Sequence, residues 1–85
     1  MGLRIRGDVS TADTEYGTVL LDERSGRYWQ LNPTGTLVVR TLLAGGTPRQ
    51  AITALTEEFD VDESQATQDI TVLLEELRSA GLVTL

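Results

Sequence analysis

The chain has 85 residues, with seven Arg, no Lys and thirteen Asp plus Glu, giving a formal net charge of −6. A chain this short supports one domain, residues 1–85, with a small core, because only about 60 to 65% of the extended surface is buried on folding at this size. Cysteine and histidine are both absent, which excludes disulfide frameworks, thiolate or imidazole metal sites, thiol nucleophiles and histidine-based triads. The negative charge argues against nucleic acid as a partner. The apolar runs are too short for a membrane span, and the first twenty residues lack the basic start and apolar stretch of a signal peptide. A cytoplasmic protein with no membrane partner is the expectation.

Taken in chain order, Leu3-Arg4-Ile5-Arg6 alternates apolar and charged residues, which predicts a short strand. Gly7 to Glu15 collects Asp, Ser, Thr and Gly and reads as a loop. Thr18-Val19-Leu20-Leu21 and Arg27-Tyr28-Trp29-Gln30-Leu31 read as strands, and Asp22 to Gly26 between them carries turn chemistry, so the pair predicts a hairpin. Trp29 and Leu31 share one face of its second strand.

Asn32-Pro33 supplies a cap and a first-turn proline for a helix that carries Leu37, Val38, Thr41 and Leu42 and stops at Gly45-Gly46. Thr47-Pro48-Arg49-Gln50 opens a second helix with a capping box, and Ala51, Ile52, Leu55 and Phe59 line one of its faces. Asp62 caps a third helix with Gln65 three residues on, and Val61 is placed to staple against Ala66. Ala66, Ile70, Leu73, Leu74 and Leu77 form its apolar stripe. Gly81 ends this helix, leaving a Leu82 to Leu85 tail. The sum is a small α+β domain: a three-stranded antiparallel sheet followed by three helices, with the helices over one sheet face, resembling a winged helix.

Chemistry-bearing patterns are few. Glu57-Glu58 and Glu75-Glu76 are adjacent helical residues, which diverge by about 100° and do not converge on one substrate atom. Gly45-Gly46 lacks the Lys and spacing of a phosphate loop. Ser64 opens a helix in an acidic chain of carrier-protein size, but its Glu63-Ser64-Gln65 context differs from the Asp-Ser-Leu usual at a phosphopantetheine site. On the third helix, Gln65, Asp69, Val72 and Glu76 form a flank beside the apolar stripe, with Leu73 at the border. Either Leu73 is core and the flank is solvated, or this side walls a groove. The apolar Val72 between carboxylates favours a mixed surface suited to an extended peptide. The strand Arg27 to Leu31 belongs to a sheet with free edges, and it is guarded only by Arg27, so its edge can accept another strand. Trp29 and Tyr28 read equally well as a core anchor and its neighbour or as groove walls.

The run Tyr28-Trp29-Gln30-Leu31-Asn32-Pro33-Thr34-Gly35, then Gly46, then Asp69-Ile70 with Leu73, Leu74 and Leu77, resembles the PqqD-like family, the leader-peptide recognition domains of ribosomally made, modified peptides. The resemblance covers roughly residues 16 to 83. A free-standing copy is most similar to the stand-alone recognition proteins of lasso-peptide maturation in bacterial antibiotic biosynthesis. Val39 stands where the family often has an aromatic residue, which alters packing behind the strand.

The resemblance implies a non-catalytic, cofactor-free peptide chaperone. The precursor's leader, carrying a Tyr-x-x-Pro motif, would add antiparallel to the strand Arg27 to Leu31 and lie against the third helix. Tyr28, Trp29 and Leu31 with Val72 and Leu73 would form pocket walls. Asp69 and Glu76 would meet donors or basic groups of the leader. The residues leave open which strand face meets the leader. A separate cysteine-type leader peptidase, and the cyclase that closes the ring, are the implied partners. The rival expectations are a winged-helix regulatory or protein-interaction module and an acyl or peptidyl carrier modified at Ser64.

Overall fold

A computed structural model describes residues 3–84. The expected hairpin is the centre of a three-stranded antiparallel sheet in the order β2 (Val9–Thr14), β3 (Gly17–Asp22), β4 (Tyr28–Leu31). Leu20 lies opposite Trp29 and Thr18 opposite Leu31. These four point inward, and Leu20 and Leu31 are almost wholly buried. Tyr28 and Gln30 alternate to the other face and are exposed, as the two-residue period of a strand requires. Gly17 makes the tight entry into β3 possible. Its φ is +135°, and a Cβ there would fall 1.9 Å from the Leu31 carbonyl oxygen.

Two segments depart from the expectation. Gly7 to Glu15 is not a loop, because most of it is β2, paired with β3 from Val9↔Asp22 to Thr14↔Gly17. Its alternation is invisible in sequence because the inward register positions after Val9 are Thr11 and Asp13. The second of these is satisfied by Arg40 of the first helix and by the Thr18 hydroxyl. The strand expected at Leu3 to Arg6 does not join this sheet. Its centre, β1 (Arg4–Ile5), pairs with β5 (Val83–Thr84), so the tail closes a separate two-stranded ribbon; Leu85 lies outside the described residues.

The helices are α1 (Pro33–Leu43), α2 (Pro48–Glu58) and α3 (Glu63–Ser79), each started by its expected cap. Asn32 accepts a hydrogen bond from the Gly35 amide, Thr47 and Gln50 form the reciprocal capping box, and Asp62 accepts from the Gln65 amide. Proline at the first helical position of α1 and α2 sets φ without losing a needed donor. α1 packs on β3, β4 and α2, and α2 packs on α3. The core between helices and sheet is filled by Leu20, Leu31, Val38, Leu55 and Leu77. Among the described residues no helix is long and apolar enough to cross a membrane.

Candidate functional site

β4 is the outer strand of its sheet, so one row of its main-chain donors and acceptors has no partner strand. Beyond that edge stands α3. The start of α1 borders one end of the gap, and Ala80 and Leu82 after α3 border the other. At the α1 end, Gly35 is the spacer: a Cβ there would lie 3.5 Å from Leu73 Cδ2 and 3.6 Å from Leu31 Cβ.

Two open clefts occupy the gap. One, of about 680 Å³, has Asp22, Arg27, Tyr28 and Trp29 on the sheet side and Glu76, Ser79, Ala80 and Leu82 on the helix side. The other, of about 440 Å³, lies between the start of α1 and the first half of α3. Its apolar lining comes from Gly35, Val38, Leu55, Val72 and Leu73, with Asp69 and Glu76 at its rim. Glu76 lines both, so the clefts are neighbouring sections of one trough along α3. Asn32, Thr34, Gln65 and Gln68 complete the lining of the second cleft, and apolar side chains interspersed with a few polar groups are the usual character of a ligand-binding cleft.

Residues 17–83 match the family described as coenzyme PQQ synthesis protein D, PqqD. The chain belongs to the PqqD family. Two solved structures resemble this PqqD-family chain over nearly their whole length. One is a lasso peptide synthetase B1 complexed with the leader peptide, 42% identical, with a TM-score of 0.92 and all of both chains covered. The other is TbiB1 in complex with the TbiA(beta) leader peptide, 26% identical, with a TM-score of 0.82, covering 94% of this chain and 93% of that one. No curated protein matches the sequence.

The electrostatics of the PqqD-family trough divide into paired and unpaired charges. Arg6 anchors its far end: Nε is 2.5 Å from Asp8 Oδ1, Nη2 is 2.6 Å from Asp22 Oδ1, and Nη1 donates to the Gly81 carbonyl at 2.8 Å. This guanidinium ties the end of β3 to the turn after α3. Its hydrogen bond holds the Asp22 carboxyl well below the usual range, at about 2, against the opposing effect of desolvation. Asp13 is lowered in the same way, first by Arg40 and then by the Thr18 hydroxyl. On α3, Glu75 is held by Arg78 through both carboxylate oxygens, at 2.6 and 2.9 Å. Among the described residues, Asp69 and Glu76 take part in no ion pair. Asp69 accepts a hydrogen bond from Gln65 Nε2 at 2.8 Å. The trough therefore offers two carboxylates on the helix side and the Arg27 guanidinium on the strand side.

Of the residues singled out in the sequence, Tyr28, Trp29 and Glu76 meet in the first cleft, with Arg27 at its mouth just before β4. Asp69, Val72, Leu73 and Glu76 meet in the second. Gln30 is exposed and lines neither cleft; Leu31 is 2% exposed and packs in the core, so its side chain is no cleft wall. Trp29 is half-buried and Tyr28 is 71% exposed, so the two aromatics divide between the faces of the strand. Ala80, Leu82, Gly35, Val38 and Leu55 also line the trough without having been singled out. The apolar stripe of α2 marks Leu55 as core, and it is core; only the tertiary meeting of three elements brings it to the cleft floor. Ser64 lies at the start of α3 and lines neither cleft.

Proposed function

We propose that this chain is a non-catalytic adaptor of lasso-peptide maturation. It captures the leader of a ribosomally made precursor by strand addition at β4, with leader side chains entering the trough. It then presents the precursor to a separate cysteine-type leader peptidase and to the cyclase in the cytoplasm. One observation carries the reading: an unpaired strand edge faces a helix across a partly apolar trough, in a chain 42% identical to a lasso peptide synthetase B1 solved with its leader peptide. Main-chain pairing supplies a general clamp, and the clefts supply selectivity for side chains such as the Tyr and Pro of a Tyr-x-x-Pro leader. A leader disordered in isolation loses conformational entropy on binding, which keeps affinity modest per area and favours release after processing.

The test is titration of the purified protein with the leader peptide of that B1 protein, followed by Trp29 fluorescence and by heat, with a scrambled peptide of equal composition alongside. Saturable binding by the leader alone is expected. Equal behaviour of leader and scramble, or no saturation at hundreds of micromolar, overturns the proposal. A winged-helix grip on nucleic acid finds no support in α3, whose sole cation, Arg78, is engaged by Glu75.

A further inference from the structure

The hydrogen-bond parity of β4 determines which of its residues face the free edge. In an antiparallel ladder, residues alternate between those that exchange both main-chain bonds with the neighbouring strand and those that direct both groups away. The Asp22 amide donates to the Arg27 carbonyl at 2.8 Å while the Asp22 carbonyl accepts from the Gly26 amide, so Asp22 and Arg27 mark a bonded position of the ladder that a bulge leaves with one of its two bonds. Stepping by two in the observed register makes Leu20 with Trp29 and Thr18 with Leu31 bonded pairs as well. The Leu31 carbonyl confirms this phase independently, because it crowds the Cβ position of Gly17 on β3 at 1.9 Å. Trp29 and Leu31 thus spend their main-chain groups on β3, as Arg27 does its carbonyl, whose amide donates instead to the Ser25 hydroxyl. Tyr28 and Gln30 turn theirs outward.

We infer that the backbone clamp consists of two residues, Tyr28 and Gln30, and that it imposes an alternating rule on the guest. The inference rests on the leader-capture reading above. An added antiparallel strand places one guest residue opposite Tyr28 and another opposite Gln30, and each exchanges two bonds with its partner. The guest residue between them faces Trp29 as a non-bonded pair. Its amide N–H points away from β4, while its side chain lies on the Trp29 face, toward the trough. That middle position therefore selects by side chain alone and accepts a residue without an amide hydrogen, including proline. The flanking positions require the amide hydrogen, and their side chains fall on the face of Tyr28 and Gln30, where the one beside Gln30 is unconstrained by either cleft and the one beside Tyr28 borders the first.

The probe is the leader peptide of the 42%-identical B1 protein, made as a series in which each backbone amide in turn is replaced by an ester. This removes the hydrogen without adding bulk. Titration against the intact chain should give two sensitive positions, each weakened roughly three- to tenfold by loss of a ladder bond, separated by one position weakened less, where the ester only lowers the acceptor strength of the preceding carbonyl. A single sensitive position, equal sensitivity at adjacent positions, or none at all would overturn the inference. Failure of the unmodified peptide to bind overturns the leader-capture reading and this inference with it, whereas binding without alternation overturns this inference alone.

Discussion

The helix wall of the trough is tested most cleanly at Val72, which is 50% exposed and so contributes little to the fold. Full burial of a valine side chain is worth about 1.5 kcal/mol at the low end for aliphatic residues. Half of that surface is still open, so a guest that covers it gains about 0.8 kcal/mol, and Val72→Ala should weaken leader binding about fourfold. Val72→Glu does more. It sets a third carboxylate beside Asp69 and Glu76 and requires its desolvation under an apolar guest, at about 1 to 3 kcal/mol, for a total loss of roughly twenty- to six-hundredfold. Thr71→Glu is the matched control: it adds the same charge one residue away, at an exposed position lining neither cleft. Its affinity should stay within about twofold, since a surface change away from the contact costs at most ~0.5 kcal/mol. Calorimetric titration gives the affinities, and urea unfolding checks that both variants keep their stability. Equal affinities for Val72→Glu and the unaltered chain, or equal losses in Val72→Glu and Thr71→Glu, would remove α3 from the site.

Two further outcomes follow from the scaffold. Gly17→Ala combines a positive φ with a collision against the Leu31 carbonyl, so it should cost at least about 1 to 3 kcal/mol in urea unfolding and part β3 from β4; unchanged stability would contradict the described turn. The depressed Asp22 pKa has a definite sign: its stabilisation is fully present above the ordinary value of 3.8 and is lost as pH falls toward about 2. Asp22→Asn should therefore lower stability at neutral pH and flatten the acid limb between those values, leaving the smaller slope due to Asp13. An identical acid limb in the two proteins would show that the Arg6 pairing contributes nothing.

The helices were readable in the sequence because their determinants are local. Asn32-Pro33, Thr47 with Gln50, and Asp62 with Gln65 each satisfy the first amides of their own helix, and the apolar stripes follow at the helical period. The hairpin was readable for the same reason. β2 was not, because an edge strand whose inward Asp13 is satisfied by a distant Arg40 shows no apolar alternation. The pairing of β1 with β5 joins the two ends of the chain through strands of only two residues each, too short for any periodicity to register. At the trough, wheel geometry singled out Val72, Leu73 and Glu76 because they share a helix flank. Gly35, Leu55 and Leu82 come from three separate segments, and only their packing brings them to one surface.

Amide hydrogen exchange, read by NMR with and without the B1 leader peptide, tests strand addition at β4 most directly. The account predicts that the exposed amides of Tyr28 and Gln30 slow by roughly tenfold or more when the leader saturates the protein, as each gains a ladder bond. A saturated complex in which both amides still exchange at the rate of the free protein would contradict it.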